Sequence, residues 1–182
     1  MQLRITKYDP KYRDVNGFFT KKEEWIAISD IGDVYDGKIF TASDYFQVED
    51  AYCETIRLLL LHLKMKSMNI LQCSARRMIP DFFTATKYYH ITDEFNNSLI
   101  SGKKCTWEDM NILIRACLRE EFGCSFRSSK GTYLHFGYDY YMYFGSQIDL
   151  DLNKIAFPEK IFIEENFPSP YMDIKRSNKA WL

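Results

Sequence analysis

The sequence predicts an α+β fold: a single domain in which an antiparallel, aromatic-rich sheet packs against two main amphipathic helices. Three observations indicate this class. The chain has 182 residues, the length of one ordinary domain. Its composition is 46% hydrophobic and 16% aromatic, which provides a sizeable core and excludes disordered or collagen-like chains. Short strand-like runs flank two longer segments whose apolar residues recur at helical spacing.

Both helices are predicted to begin at a threonine that is followed, three residues later, by an aspartate. The first is predicted over 41–66, where Thr41 and its aspartate form a capping box ahead of apolar residues spaced by three and four. The second is predicted to run from Thr106 to Gly123, because glycine commonly ends a helix. Each helix has one apolar face, which is expected to pack against the sheet.

Strands are predicted where apolar and polar residues alternate or where aromatic residues cluster. Leu3–Thr6 alternates in this way, and Trp25–Ile28 is expected to pair with it in a loose hairpin. After the hairpin, the glycines and aspartates of 29–38 indicate a loop. Further strands are predicted at Met68–Ala75, Tyr88–Ile91, Cys124–Phe126, Tyr133–Phe136, Tyr138–Phe144 and, as an edge strand, Lys160–Glu164. A short helix at Asp93–Ile100 and a loose tail from about 173 complete the prediction.

Several classes of protein are disfavoured by the sequence. The first ten residues contain no continuous apolar stretch of the kind found in a secretory signal, so a cytoplasmic location is expected. The longest apolar run, Leu58–Leu61, is far shorter than the roughly 20 residues that cross a bilayer. Five cysteines at irregular spacing favour reduced thiols in a packed interior over a disulfide framework.

Nucleotide-binding and metal-binding motifs are missing from the sequence. There is no GxGxxG or GxxxxGK[ST] to hold phosphate, and no HExxH, CxxC or HxxxH spacing to hold zinc. The histidines His62, His90 and His135 belong to three different predicted elements. No cofactor or metal is therefore expected. The formal net charge of −1 gives no global reason for binding nucleic acid or a membrane surface.

Cys124 and His135 form the one candidate pair for nucleophilic catalysis. They fall on neighbouring predicted strands, and such a pair acts as nucleophile and base when the two side chains meet. Separate, buried roles in the core are the more common outcome for these residue types.

A run of tyrosines near the end of the predicted sheet suggests a second kind of site. Aromatic faces of this kind stack on bases or sugars. Alternation along a strand divides the four between two faces, so core packing with an exposed aromatic patch is the favoured interpretation. The four are Tyr138, Tyr140, Tyr141 and Tyr143.

Acidic residues are concentrated in two parts of the chain. Residues 30–54 contain seven acids and one base, and residues 139–173 contain seven acids and two bases. Such clusters often do no more than solvate a surface. The alternative is a negative surface that steers and docks a basic partner. The candidate partner-binding residues are Asp30, Asp33, Asp36, Glu49, Asp50, Asp149 and Asp151.

Short motifs in the first third of the chain carry a family resemblance. They are Leu3 to Pro10 (LRITKYDP), Tyr12 to Asp14 (YRD), Glu24-Trp25 (EW), Ser29 to Gly32 (SDIG) and Val48 to Tyr52 (VEDAY), with a weaker match at Phe136 to Tyr141 (FGYDYY). In these motifs the chain resembles bacterial immunity proteins encoded beside polymorphic toxins, including those of contact-dependent growth inhibition systems.

The resemblance implies a cytoplasmic protein that is not an enzyme and that neutralises a cognate toxin by binding its C-terminal domain. It implies that the toxin domain is a nuclease, commonly one that cleaves tRNA. Such families diverge at the contact surface, so no binding residue is carried over. Two alternatives stay open. One is a small hydrolase that uses Cys124 and His135, and the other is a nucleic-acid-binding module in which Arg76-Arg77 and Lys103-Lys104 converge with exposed tyrosines.

Overall fold

The computed structural model describes residues 1–75 and 97–172. Within these ranges the helices are α1 (Ala42–His62) and α2 (Trp107–Leu118). The strands are β1 (Gln2–Thr6), β2 (Val34–Tyr35), β3 (Lys38–Ile39), β4 (Ser67–Ala75), β5 (Lys104–Thr106), β6 (Phe122–Arg127), β7 (Tyr133–Phe136), β8 (Met142–Gly145) and β9 (Phe162–Glu165). Single 3₁₀ turns lie at Pro10–Tyr12, Ile28–Asp30 and Leu152–Lys154.

Seven of these strands form an antiparallel sheet in the order β5-β4-β6-β7-β8-β1-β9. β6, β7 and β8 follow one another as hairpins, whereas β1 pairs with β8 on one side and with β9 on the other. β1, the first strand of the chain, therefore lies between β8 and β9, which come late in the sequence. β2 and β3 form a separate two-stranded sheet, which we call the ribbon.

One face of the large sheet forms the core together with α1 and α2. On β1, Leu3 and Ile5 are fully buried, whereas Arg4 between them lies on the opposite face. Fully burying a side chain of this size stabilises a protein by roughly 1.5–3 kcal/mol. Buried residues of α1 recur at helical spacing: Tyr45, Val48, Tyr52, Ile56 and Leu59. The predicted α+β class, with an aromatic-rich antiparallel sheet against two helices, is confirmed.

Both helices begin at the predicted capping boxes. The Thr41 hydroxyl accepts a hydrogen bond from the Asp44 amide at 3.2 Å, and the Asp44 carboxylate accepts one from the Thr41 amide at 3.0 Å. Thr106 and Asp109 repeat this exchange at the start of α2. Each box satisfies backbone donors that a helix start otherwise leaves free. No helix in the described ranges has the length and apolar character needed to cross a membrane.

Neither helix ends at a glycine. α1 stops at His62 rather than at 66, because Lys64 takes a left-handed φ of 54°. α2 stops at Leu118, because Glu120 takes a left-handed φ of 63°. The prediction that Gly123 closes α2 is wrong, since this residue lies inside β6. A left-handed residue lets the following amides bond back to the last free carbonyls, and here non-glycine residues perform that task.

The predicted hairpin between the first strand and Trp25–Ile28 is wrong. Trp25 and Ile28 are buried, but Trp25 lies in a loop and Ile28 begins the 3₁₀ turn that follows it. The Trp25 ring stacks on Phe40 with centroids 4.5 Å apart, and the Lys7 ammonium lies 3.9 Å from its centroid. Apolar residues that anchor a loop have the same local pattern as a short strand. The true partners of β1 are the strands β8 and β9, which are distant from it in sequence.

The other strand predictions within the described ranges are confirmed, apart from one boundary. β4, β6, β7 and the edge strand β9 lie at or within two residues of their predicted positions. β8 begins at Met142 instead of Tyr138, because Asp139 and Tyr140 have left-handed φ values of 51° and 61° and turn the chain. The strand at Tyr88–Ile91, most of the helix at Asp93–Ile100 and the tail from about 173 lie outside the described residues.

The expectation that all five cysteines are reduced is wrong for two of them. Cys73 and Cys124 lie opposite each other on β4 and β6, with Cα atoms 4.1 Å apart, and their sulfurs are bonded. Cys53 and Cys105 are free and buried, and Cys117 is free and partly exposed. This pairing depends on strand register, which a sequence separation of 51 residues does not reveal.

Candidate functional site

The seven predicted partner-binding acids lie in three separate regions. These are the ribbon with the turn before it (Asp30, Asp33 and Asp36), α1 (Glu49 and Asp50) and the loop after β8 (Asp149 and Asp151). The predicted set is therefore not one continuous site, and each region has its own surroundings.

Glu49 is a core residue and is not available to a partner. Its side chain is fully buried, and its carboxylate accepts hydrogen bonds from Arg115 at 2.8 Å and from Arg119 at 2.6 and 2.9 Å. Asp50 is half exposed and pairs with Arg115 at 2.8 Å. A buried carboxylate requires such partners because desolvation penalises the isolated charge. The assignment of Glu49 to a partner surface is thus corrected: it joins α1 to α2.

Asp149 and Asp151 lie away from the ribbon. The Asp149 carboxylate pairs with the N-terminal amine of Met1 at 2.8 Å, at the beginning of β1. Asp151 pairs with Lys154 at 3.1 Å. The loop that supports the ribbon contacts the other end of β1, where Lys7 donates a hydrogen bond to the backbone carbonyl of Trp25 at 2.6 Å. Both aspartates are exposed, but they belong to a different part of the surface.

The ribbon presents an apolar pair beside exposed carboxylates. Val34 and Ile39 are directly opposite each other on β2 and β3, and they are 63% and 65% exposed. Asp33 and Asp36 flank the short strand β2 and are also exposed. Asp36 and Gly37 form the two-residue turn, both with left-handed φ, as an Asp-Gly hairpin requires. An exposed apolar centre with a charged rim is typical of a protein-binding surface.

Acidic groups outnumber basic ones around the ribbon. Between residues 21 and 39 there are five acids and three bases. Asp36 pairs with Lys21 at 2.7 Å, whereas Asp33 has no ion-pair partner among the residues described. The pKa of the Tyr35 hydroxyl is raised, first by desolvation and then by the negative charges of Asp30 and Asp33. The charge balance of this segment is therefore negative.

Asp30 has a structural role at the base of the ribbon. Its carboxylate accepts hydrogen bonds from the backbone amides of Ile26 at 2.8 Å and Ala27 at 3.1 Å, which fixes the 3₁₀ turn. Val34 and Ile39 are the residues that sequence reasoning missed. The Asp-Gly dipeptide between short β-forming runs was the signal that would have predicted this hairpin.

Cys124 and His135 do not meet. Ser125 pairs with His135 across β6 and β7, so the neighbouring Cys124 lies on the opposite face of the sheet, where it is bonded to Cys73. His135 is buried, and its Nδ1 is 2.7 Å from the Ser169 hydroxyl. The structure therefore does not assemble the predicted nucleophile and base. Nor does any group of three or more metal-ligating side chains occur within the described ranges.

Replacement of His135 by glutamine is expected to reduce the sensitivity of folding to acid. Desolvation, followed by the charge of Arg127, lowers the pKa of His135 from 6.5 to about 4. Between these two values the unfolded chain binds more protons at this position, so His135 makes stability fall as the pH drops from about 6.5 to 4. Urea midpoints from pH 7 to 4.5 should fall less in His135→Gln than in the wild type. An unchanged slope would contradict this, and exposed His62→Gln is the control.

Among the residues that the structure describes, the basic and aromatic residues of the nucleic-acid alternative lie apart. Lys104 lies on the edge strand β5, separated from β8 by three strands, which is about 19 Å across the sheet. Tyr138 is 60% exposed and Tyr140 is buried in the core, although strand alternation predicted them on one face; both precede the start of β8. The Arg76-Arg77 pair lies outside the described residues.

Comparison with known proteins gives no relative from which a function could be inferred. No match to this chain was found among protein-family models, curated proteins or solved structures. Function must therefore be inferred from the exposed groups of the molecule itself and from the motif resemblance.

Proposed function

We propose that this protein is a cytoplasmic immunity protein that binds and neutralises a cognate toxin domain. In this proposal the toxin is a nuclease of a contact-dependent growth inhibition system that cleaves RNA, and inhibition is stoichiometric. The observation that carries the proposal is the ribbon, where an exposed apolar pair lies beside carboxylates. The motif resemblance supports the choice of partner.

The ribbon has the two properties that a docking surface for a basic protein needs. Val34 and Ile39 provide apolar area, and apolar contacts at the centre of an interface supply most of its affinity. Asp33 and Asp36 provide negative charge at the rim, which speeds association with a basic partner and favours it over other proteins. A surface that binds RNA phosphates is basic, and it is therefore complementary to the ribbon.

Buried aromatic contacts hold the ribbon in a defined position. Phe40, directly after β3, stacks on Trp25 with centroids 4.5 Å apart and meets Tyr35 edge-on at 6.2 Å. The Phe40 amide donates to the Asp33 carbonyl at 2.8 Å. A surface that is ordered before binding loses little conformational entropy on association. The order of the ribbon therefore lowers the entropic cost of binding at this small surface.

Changing Asp33 and Asp36 together to asparagine is expected to slow association with the toxin domain encoded at the adjacent locus. The expected effect is about tenfold at low salt and much smaller at high salt, because salt screens exposed charges. Val34→Ala with Ile39→Ala is expected to act mainly on dissociation, since it removes apolar contact area. Asp30 is left unchanged because it fixes the 3₁₀ turn. Binding kinetics at low and high sodium chloride separate the two effects.

The matched control is Asp149→Asn with Asp151→Asn, which removes the same charge far from the ribbon. This control is expected to leave the association rate within about twofold of the wild type. An equal effect of both double variants would mean that net charge alone acts, and it would remove the ribbon from the interface. If the wild-type chain fails to bind the toxin domain and to rescue cells that express it, the proposed function is wrong.

A further inference from the structure

A cavity of about 250 Å³ opens between the end of α2 and the turn that joins β7 to β8. Its walls combine carboxylate and aromatic residues. Glu120 lines it from the helix end, and Tyr138 and Asp139 line it from the turn. Tyr141 also borders the cavity, but its ring already packs against Arg4 and Arg13. Among the described residues, neither Glu120 nor Asp139 has an ion-pair partner. Two uncompensated carboxylates therefore share one small concave site with aromatic residues.

Glu120, and Tyr140 beside Asp139, are residue types that the local left-handed backbone disfavours. Glu120 has a φ of 63° directly after the last turn of α2, a position that glycine normally takes. Its negative charge also lies at the negative end of the helix dipole. Asp139 and Tyr140, with φ values of 51° and 61°, are the central residues of a turn that favours Asn-Gly. Residues that break local preferences in this way cluster at functional sites.

Tyr140 anchors the turn and makes it rigid. This residue is 7% exposed, and its ring lies 4.9 Å from Trp25 and 6.3 Å from Tyr45. Its carbonyl accepts a hydrogen bond from the Tyr52 hydroxyl. The burial of Tyr140 offsets the cost of the left-handed backbone and leaves Asp139 at the surface. The mouth of the cavity is thus organised before any ligand arrives.

We infer that this cavity binds the side chain of an arginine supplied by the protein partner. A guanidinium pairs with carboxylates and stacks on aromatic faces, and this combination favours arginine over lysine. Small-molecule sites usually measure roughly 300–1,000 Å³. The cavity is smaller, which suits one side chain better than a cofactor. The source of the arginine rests on the proposed function, whereas the chemistry of the cavity does not.

The cavity and the ribbon are connected through Trp25. The Trp25 ring contacts Phe40 at the end of the ribbon, with centroids 4.5 Å apart, and Tyr140 in the turn, at 4.9 Å. The residue that follows the ribbon and the turn that borders the cavity therefore pack on the same buried ring. The ribbon would supply apolar contact, and the cavity would select for a basic side chain at one position.

The first test needs no toxin. Nα-acetyl-arginine amide is titrated into the ¹⁵N-labelled protein, with the lysine and citrulline amides as the cationic and neutral comparisons. Saturable shifts at the Glu120 and Asp139 amides are expected with arginine, weaker shifts with lysine and none with citrulline. Equal responses to arginine and citrulline, or a stronger response to lysine, would overturn the assignment.

Variants then separate binding from folding. Glu120→Gly is expected to abolish the arginine response while raising the Tm by about 2–4 °C, because glycine adopts the left-handed conformation at no steric cost. The loss of response then cannot be attributed to unfolding. Asp139→Asn, which keeps a residue type tolerant of that conformation, is expected to weaken the response at least fivefold. Exposed Glu159→Gln is the control and is expected to leave the response unchanged.

The toxin domain provides the second test. Glu120→Gln is expected to weaken toxin binding at least tenfold, whereas Glu159→Gln is expected to leave it unchanged. If Glu120→Gln binds the toxin domain as tightly as the wild type does, the inference that the partner supplies an arginine to the cavity is wrong, even if the arginine amide binds. If the wild-type protein binds arginine amide but no toxin domain, the proposed function is wrong, whereas the inference that the cavity binds an arginine side chain is retained.

Discussion

Replacement of Glu49 by glutamine is expected to lower the free energy of unfolding by about 3–5 kcal/mol. The carboxylate is fully buried and accepts three hydrogen bonds from the guanidinium groups of Arg115 and Arg119. Glutamine fills the same space but carries no charge, so both arginines lose the buried negative charge that Glu49 supplies. Urea unfolding at pH 7, followed by circular dichroism, measures the loss.

Two comparison variants show whether buried charge is the cause. Asp50→Asn removes a half-exposed partner of Arg115 and is expected to cost no more than about 1 kcal/mol. Glu49→Leu combined with Arg119→Met removes one buried charge of each sign, and it is expected to cost less than Glu49→Gln alone. A loss below about 1 kcal/mol for Glu49→Gln would contradict the prediction.

Substitution of Gly145 by alanine is expected to destabilise the protein by about 2–3 kcal/mol. A Cβ atom at this position would lie 2.1 Å from the Tyr133 ring. Tyr133 faces Gly145 directly across β7 and β8, is buried, and stacks on His135 with ring centroids 4.8 Å apart. The ring therefore cannot move aside without disturbing its neighbours. Denaturant unfolding of Gly145→Ala measures the cost.

A double-mutant cycle tests whether the Tyr133 ring causes this cost. In a Tyr133→Ala background the added methyl group meets no ring, so Gly145→Ala is expected to cost at least 1 kcal/mol less than in the wild type. The same cost in both backgrounds would mean that strain elsewhere in β8 is responsible.

Local signals predicted the helices and most strands of this protein. The capping boxes at Thr41 and Thr106 are each complete within four residues, so they form wherever the rest of the chain folds. The alternation of Leu3 to Thr6 likewise needs no information from elsewhere. The predictions for Trp25–Ile28 and Gly123 were wrong, because the same local sequence is compatible with more than one structure. A short apolar run can anchor a loop or form a strand, and a glycine can end a helix or lie within a strand.

The candidate site was predicted only in part. Asp33 and Asp36 are exposed on the ribbon, as expected of docking residues, but Glu49 is buried. The exposed pair of Val34 and Ile39 was missed, although an Asp-Gly turn between short β-forming runs indicates a hairpin. The exposure of an apolar residue depends on which distant segments pack over it, and a local sequence pattern does not predict those segments.

Local patterns along the chain predict the α+β class, the starts of both helices and the high share of aromatic residues in the core, because periodicity and caps act within a few residues. The remaining features come from tertiary structure. It placed β1 between β8 and β9, bonded Cys73 to Cys124, buried Glu49 against two arginines, and brought Glu120 and Asp139 to one cavity. Each of these features joins groups that are distant in sequence, so only the packed chain brings them within reach.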